Sequence, residues 1–322
     1  SSHLTQGTAG SSGAHCSAPM PEPSLKSFLT DVAAGGISHV VVSTLYAPLL
    51  RVQLLLQTQD ANPKVRSGQV VRYRGMLDCF ARVVREQGWQ RLWAGNVTAC
   101  ATYLPSTLVS LMFKDTLAKM FPKYDSKKQF PQFFAVSVVS GGLAGAGSLA
   151  VLFPVHYVRT RLATDVGPGE RTFSGFADCI RKTVAGGGPG ALYTGFKASI
   201  TGVVVHRMVY FGAYDTIYGL NPYKQERGAL GVLSTFAAAQ AAVAFGAGAT
   251  FPFDTVRCRL QLQAERPASE HVYGGMVDCF RRTAAEEGVL GLYKGFLANM
   301  TRQVGSALLL ASYSWAKAHL GH

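Results

Sequence analysis

Three short stretches of the sequence place a proline and polar or charged residues within apolar surroundings. The third stretch carries an acid and a base, Asp254 and Arg257, three residues apart. Charged side chains in an apolar, membrane-like environment are costly unless they are paired, so each of them is expected to need a partner. A proline inside an apolar helix also favours a bend there, because it removes one backbone hydrogen bond. The stretches read YAPLLRVQLL from Tyr46, FPVHYVRTRL from Phe153 and FPFDTVRCRL from Phe251.

Composition indicates that these stretches lie in membrane helices. Hydrophobic residues make up 48% of the 322 residues and charged residues only 15%, against about 25% in soluble domains. Several long apolar runs and a mean hydropathy of +0.15 agree with this. The net charge of +13 is then expected in loops and at helix ends, near anionic lipid. Because the basic residues are scattered among apolar runs, the sequence does not favour nucleic-acid binding.

Other kinds of chemistry find little support in the sequence. The six cysteines form no C-x-x-C pair, which argues against a zinc or redox site. No Ser-His-Asp, Cys-His or H-E-x-x-H arrangement stands out, so neither an enzyme nor a metal protein is predicted. Residues 1–24 contain no lysine or arginine and are rich in serine, glycine and proline, which is typical of a flexible polar tail.

An internal repeat organises the rest of the chain. Residues 73–80, 173–180 and 273–280 read YRGMLDCF, FSGFADCI and YGGMVDCF, at a spacing of 100 residues. Each repeat contains an apolar segment that ends in a proline stretch, then an amphipathic run, then a second apolar segment. This plan predicts an all-α membrane protein with six spanning helices and three surface helices, divided into repeats at 25–122, 123–221 and 222–322.

Three such repeats with a proline motif on the first helix resemble the mitochondrial carrier family. Within that family, four stretches are most similar to ADP/ATP carriers: RVQLLLQ (51–57), VRTRLATD (158–165), YFGAYDT (210–216) and FPFDTVR (251–257). The resemblance implies a six-helix barrel with threefold pseudosymmetry, in the mitochondrial inner membrane. It also implies a central cavity that can be gated at both faces.

In that family the first, third and fifth spanning helices each carry an acid that pairs with a base on the next of these three helices, and the pairs close the matrix side. Pro48, Pro154 and Pro252 would bend these helices inward. Each pair has lost one member here, which leaves at most one hydrogen bond between Asp254 and Gln53. A neutral His156 would accept one from Arg257. Snorkelling arginines and a satisfied core histidine are the alternatives to gate roles. The implied pairs are Leu50 with Arg159, His156 with Arg257, and Asp254 with Gln53.

The resemblance also implies a gate at the opposite face, built from an acid and a base three residues later. In this chain one cross-helix pair survives, Asp115 with Lys317. The corresponding positions are Asp115 and Ala118, Asp215 and Tyr218, and Ser314 and Lys317.

The implied substrate cavity is altered as well. Ser43 and Thr102 stand where a lysine and an arginine are expected, whereas Arg302 is kept. The RRRMMM string typical of ADP/ATP carriers reads RCRLQL from Arg257. Fewer cations would compensate the phosphates of a nucleotide, which argues against nucleotide binding. The other implied cavity residues are Gly202, Val203, His206, Tyr210 and Tyr214.

Repeated glycines predict one bound ligand, an anionic lipid such as cardiolipin; no other cofactor is expected. Free amides at helix N-termini bind phosphate groups, although the same glycines would also serve as tight turns. They are Gly75, Gly95, Gly175, Gly195, Gly275 and Gly295.

Two interpretations of function follow. The lost gate pairs and cations favour an accessory or structural subunit of an inner-membrane assembly, with subunits of the respiratory chain or ATP synthase as protein partners. This interpretation expects no ADP/ATP exchange. The alternative is an active solute exchanger, for ADP and ATP or for a smaller or less anionic substrate. It requires that another gate chemistry replaces the ionic rings.

Overall fold

The structure, a computed structural model, describes residues 25–122, 129–165, 172–223 and 228–320. Every regular element in these ranges is a helix, which confirms the predicted all-α class. The helices are α1 (Leu25–Thr58), α2 (Pro63–Arg66), α3 (Met76–Gln87), α4 (Asn96–Ala101), α5 (Tyr103–Met120), α6 (Phe130–Ala163), α7 (Phe176–Gly187), α8 (Phe196–Leu220), α9 (Ala229–Gln263), α10 (Met276–Glu287) and α11 (Phe296–Leu320).

The long helices form a closed ring. Helix α1 packs on α4 and α5, α5 on α6, α6 on α8, α8 on α9, and α9 on α11, which returns to α1. The ring encloses a central cavity, so the predicted six-helix barrel is confirmed. Pro48, Pro154 and Pro252 lie inside α1, α6 and α9. A proline there removes one helical hydrogen bond and makes a bend easier.

Hydropathy alone would not have found all six long helices. Among the described residues, two stretches are long and apolar enough to cross a membrane by length and composition, Gly35–Ala61 and Leu230–Gln263. Helices that line a polar cavity carry polar and charged residues on one side, and this lowers their mean hydropathy. The hundred-residue repeat is therefore the stronger signal for the spanning helices.

The three predicted surface helices are α3, α7 and α10, and each packs on the end of a long helix. We call the end of the barrel that carries them the surface-helix face. Each presents a narrow buried stripe to the barrel, and the other sides are largely exposed. The stripe pairs a cysteine with a residue one turn later: Cys79 with Val83, Cys179 with Thr183, and Cys279 with Thr283.

A glycine directly before the second spanning segment of each repeat packs that repeat against the next. Gly95, Gly195 and Gly295 have positive φ angles between 84° and 88°, a left-handed conformation that favours glycine. Each one faces the backbone carbonyl of the residue five positions after a helix proline. A β-carbon would lie 3.2 Å from that oxygen of Arg159, 3.1 Å from that of Arg257 and 2.8 Å from that of Gln53.

A network of ion pairs joins repeats 1 and 3 at the surface-helix face. The Lys294 ammonium lies 2.6 Å from Asp60 Oδ2 and 2.7 Å from Glu287 Oε2. Arg72 Nε lies 3.0 Å from Asp60 Oδ1, and Arg259 also binds Glu287. Burial on its own would raise the pKa of Glu287, but hydrogen bonds and charges from Arg259 and Lys294 outweigh it and lower this pKa to about 2. Glu287 therefore stays ionised at neutral pH.

Repeats 2 and 3 are joined by a pair that the repeat pattern does not predict. Gln87 and Glu287 each bind an arginine of the long helix before them, but the equivalent residue of repeat 2 is Gly187. Arg161 is the arginine left over, and its Nη2 lies 2.5 Å from Glu265 Oε2 of repeat 3. The missing acid is thus supplied by a different repeat.

Close backbone packing explains why the acid comes from repeat 3. A β-carbon on Gly186 would lie 2.1 Å from the carbonyl oxygen of Glu265, and one on Gly187 would lie 2.4 Å from that of Ala264. Both distances are far shorter than van der Waals contact. A side chain at either position would push the loop after α9 away. The two glycines therefore allow Glu265 to reach Arg161.

We predict that Glu265→Gln lowers the melting temperature of the purified protein by several degrees. The change leaves Arg161, whose side chain is only 6% exposed, without its counter-charge, and an unpaired buried charge is strongly destabilising. The measurement is thermal unfolding in detergent, with Glu286→Gln on the exposed side of α10 as the matched control. Equal melting temperatures for both variants and the natural chain would show that the pair does not hold the repeats together.

Candidate solute-binding site

A central cavity of about 630 Å³ lies between α1, α6, α8, α9 and α11. It brings together residues that the sequence assigned to two separate functions, the substrate cavity and the matrix gate. From the first group it contains Gly202, Val203, His206 and Arg302; from the second, Leu50, Gln53, His156, Asp254 and Arg257.

The cavity wall carries more positive than negative charge. Arg207, Arg257 and Arg302 line it together with a single carboxylate, that of Asp254, among the residues described. Two positive charges are therefore uncompensated. Low-dielectric walls concentrate such a field, so this cavity favours an anion.

Asp254 does not reach Gln53, and the predicted hydrogen bond between them is wrong. Its Oδ1 accepts hydrogen bonds from Arg257 on the same helix, at 2.5 Å from Nη2 and 3.0 Å from Nε. Its Oδ2 accepts one from Gln57 Nε2 at 3.2 Å. Gln57 is one turn beyond Gln53 on α1, nearer the surface-helix face, and this places its amide level with the carboxylate. Gln53 Oε1 is buried without a partner.

The other two pairs implied by the resemblance, each expected to lack its acid, form no ion pair. Arg257 directs its hydrogen bonds to Asp254 and to the sulfur of Cys258, not to His156, because its own helix offers a carboxylate one turn away. Arg159 has no carboxylate partner among the described residues. The ionic ring implied by the resemblance is therefore absent from this part of the structure.

An apolar cluster closes the cavity in place of that ring. Leu54 from α1, Ala163 from α6 and Cys258 from α9 are buried against one another, and Leu50 packs on them. We call these four residues the apolar plug. It draws on all three repeats, and Leu50, the position of a lost gate acid, is one of its members. Below it the polar side chains of Gln57 and Gln261 are fully buried.

Aromatic rings run along α8 from the cavity toward the opposite face. His206, which lines the cavity, stacks on Tyr210 at 5.9 Å between ring centroids. Tyr210 stacks on Tyr214 at 6.0 Å, and Tyr214 on Tyr218 at 5.6 Å. Tyr210 and Tyr214 lie outside the 630 Å³ cavity. They form a path of planar surfaces that leads into it.

Ser43 and Thr102 make local contacts and do not line the cavity. Ser43 Oγ lies 3.0 Å from His39 Nε2, and the His39 ring stacks on Tyr103 at 4.2 Å. Thr102 Oγ1 donates to the carbonyl oxygen of Thr98 at 2.6 Å. Neither side chain therefore takes part in the wall of the 630 Å³ cavity.

The structure describes little of the opposite gate. The side chains of Asp115, Ala118, Ser314 and Lys317 lie outside the described residues. Asp215 is exposed and Tyr218 belongs to the aromatic path. The pairing predicted there stays a prediction.

One cavity residue, Arg207, and one partner of a cavity residue, Gln57, were not predicted from the sequence. Arg207 directly follows His206, and an arginine within the apolar run of α8 is a signal that could have been used. Gln57 closes the RVQLLLQ stretch, but spacing alone does not decide whether Gln53 or Gln57 meets Asp254. That choice depends on how far α1 and α9 are shifted along each other.

Two of the six glycines predicted to bind lipid line a second cavity between repeats 1 and 2. It measures about 710 Å³ and is lined by Gly95 and Gly175, with Trp89 and Phe176. Gly175 precedes α7, and nothing lies within 4 Å of the position that a β-carbon would take there. The space near this helix terminus is therefore unfilled by the protein.

Comparisons with known proteins agree with this architecture. The family model described as mitochondrial carrier protein matches residues 24–125, 130–223 and 228–322. The chain is 46% identical over 291 residues to the ADP,ATP carrier protein of Parachlorella kessleri, covering 90% of this chain and 84% of that protein. It is 39% identical over 297 residues to ADP/ATP translocase 4 of Mus musculus, covering 91% of each. ADP/ATP translocase 2 of Bos taurus is 37% identical over 294 residues, covering 90% of this chain and 97% of that protein. The chain therefore belongs to the mitochondrial carrier family of multi-pass inner-membrane transport proteins.

Proposed function

We propose that the protein exchanges an anionic solute across the mitochondrial inner membrane through its central cavity. The observation that carries this proposal is the excess of arginine over carboxylate on a cavity wall directly above the apolar plug. A cavity with uncompensated positive charge attracts an anion, and a seal beneath it keeps the solute from leaking through.

The apolar plug supports transport over a purely structural role. The exchanger interpretation requires a substitute for the ionic ring, and a hydrophobic constriction can gate a pore by excluding water. Side chains of α1, α6 and α9 meet in the plug without hydrogen bonds between them. Separating such a contact costs apolar burial but no broken ion pair, which suits a gate that opens and closes repeatedly.

The cavity charge favours a solute with two to three negative charges. The lining arginines leave two positive charges uncompensated, and Arg159, one turn after the lining residue His156 on α6, adds a third. The aromatic path along α8 suits a planar group. ADP, the substrate class in the printed names of the relatives, fits these charges better than ATP and is the first solute to test.

The accessory-subunit interpretation stays an alternative. It rested on the lost gate pairs, and the apolar plug gives those losses another explanation. Its partners in a respiratory-chain or ATP synthase assembly remain a prediction from the sequence. The two interpretations differ in one measurable property, which is exchange by the purified chain alone.

We expect the purified chain in liposomes to exchange external labelled ADP for internal ADP faster than for internal ATP. Arg302→Gln, which removes a cavity charge, should lower the rate by about tenfold or more, since a unit charge at close range is worth at least this much in a low dielectric. Arg281→Gln, on the exposed side of α10, is the matched control. If the natural chain exchanges neither ADP, ATP nor inorganic phosphate, the exchanger proposal fails and the accessory interpretation takes its place.

We also propose that an anionic lipid with phosphate groups occupies the 710 Å³ cavity between repeats 1 and 2. Backbone amides at the start of α7 and the apolar side chains of Trp89 and Phe176 suit the headgroup and the acyl chains, respectively. Native mass spectrometry of the gently solubilised protein should show retained cardiolipin. A folded protein that retains no anionic lipid after gentle solubilisation would contradict the proposal.

A further inference from the structure

We infer that the solute supplies the negative charge that the gate lacks, and that Arg159, freed by the leucine at position 50, is a solute-binding residue. This inference rests on the proposed exchange of an anion. It gives the missing carboxylates a functional meaning. Positions 50 and 156 need no acid if the anion itself neutralises the arginines above the plug.

Arg159 is the residue on which the inference depends. It lies on α6 one turn after His156, which lines the cavity, and its backbone carbonyl is fixed by Gly95. Leu50, the position of its expected partner, lies beside it at a void of only about 10 Å³. Among the described residues no carboxylate acts on Arg159. Its charge is therefore not neutralised by a carboxylate of the described part of the chain.

The neighbours of Arg159 share its sign. Its guanidinium interacts electrostatically with those of Arg257 and Arg302, while Asp254 is already bound by Arg257 and Gln57. Because Asp254 neutralises Arg257, Arg159 and Arg302 are the two like charges that repel one another when nothing lies between them. An anion with two or more charges placed there would relieve the repulsion.

Unsatisfied polar atoms point to the same location. Gln53 lines the cavity, is 4% exposed, and has a buried Oε1 without a partner. Arg302 donates to Asn299 through Nη2 at 2.8 Å, but its Nε is buried without a partner. Buried polar groups are normally hydrogen-bonded. A ligand that accepts from the Arg302 Nε–H and donates a hydroxyl hydrogen to Gln53 Oε1 would satisfy both.

Binding and closure then stabilise each other. Arg159 lies on α6 and Arg302 on α11, so an anion bound between them would link two different helices. An anion that binds the closed arrangement more tightly than the open one shifts the protein toward closure. Restoring a gate acid should therefore compete with the solute and weaken its binding.

The test compares Leu50→Glu with Leu50→Gln in the purified full chain. Both variants place a polar side chain of similar size in the plug, but only glutamate neutralises Arg159. We expect Leu50→Glu to weaken the binding of ADP and of inorganic phosphate by about tenfold, as loss of one nearby charge predicts, and Leu50→Gln to change it much less. Affinity is measured by calorimetry or by the ligand-induced shift in melting temperature.

A second variant tests the inference even if the first does not fold. Arg159→Gln should weaken ADP binding to a similar extent, and adding Leu50→Glu to it should weaken binding little further. If Leu50→Glu or Arg159→Gln binds ADP as tightly as the natural chain, or if the natural chain binds neither ADP nor phosphate, the inference is overturned. Exchange by liposomes is scored separately. Intact exchange with charge-insensitive binding refutes the inference alone, whereas charge-sensitive binding without exchange refutes the proposed function alone.

Discussion

An ionised side chain inside a membrane protein must meet either an opposite charge or water, and this constraint divides the structure into two regions. At the surface-helix face the buried arginines Arg161 and Arg259 each have a carboxylate from a surface element. Arg302, which lines the cavity, and Arg159, one turn after the lining residue His156, have none within hydrogen-bonding distance among the described residues. The first region therefore serves stability. The second retains charge for an anion that comes from outside.

The closed end of the barrel does not depend on the ionic ring of its family. Glycines at three equivalent positions bring each repeat against a backbone carbonyl of the next. Ion pairs at the periphery then join repeats 1 and 3 through Lys294, and repeats 2 and 3 through Glu265. With the repeats held in this way, the centre needs only a small seal. The apolar plug provides it. Leu50, one of its members, stands in place of the acid that would otherwise pair with Arg159.

Features that repeat along the sequence could be predicted from it. Contacts that depend on how helices and loops are placed against one another could not. The three repeats, the helices and the stretches with Pro48, Pro154 and Pro252 follow from spacing alone. The partner of Asp254 does not, because Gln53 and Gln57 lie on the same side of α1 and differ by one turn. Nor does the role of Glu265, which lies in a loop of one repeat and serves the arginine of another. The plug was missed because a leucine at position 50 was interpreted as a lost acid, although its apolar side chain packs against α6 and α9.

An experimental structure of the protein saturated with ADP tests the central claim most directly. The account predicts that phosphate oxygens lie within hydrogen-bonding distance of both Arg159 and Arg302, with the apolar plug intact beneath them and Asp254 still bound to Arg257. Nucleotide bound elsewhere in the cavity, with the Arg159 guanidinium unengaged, would contradict it.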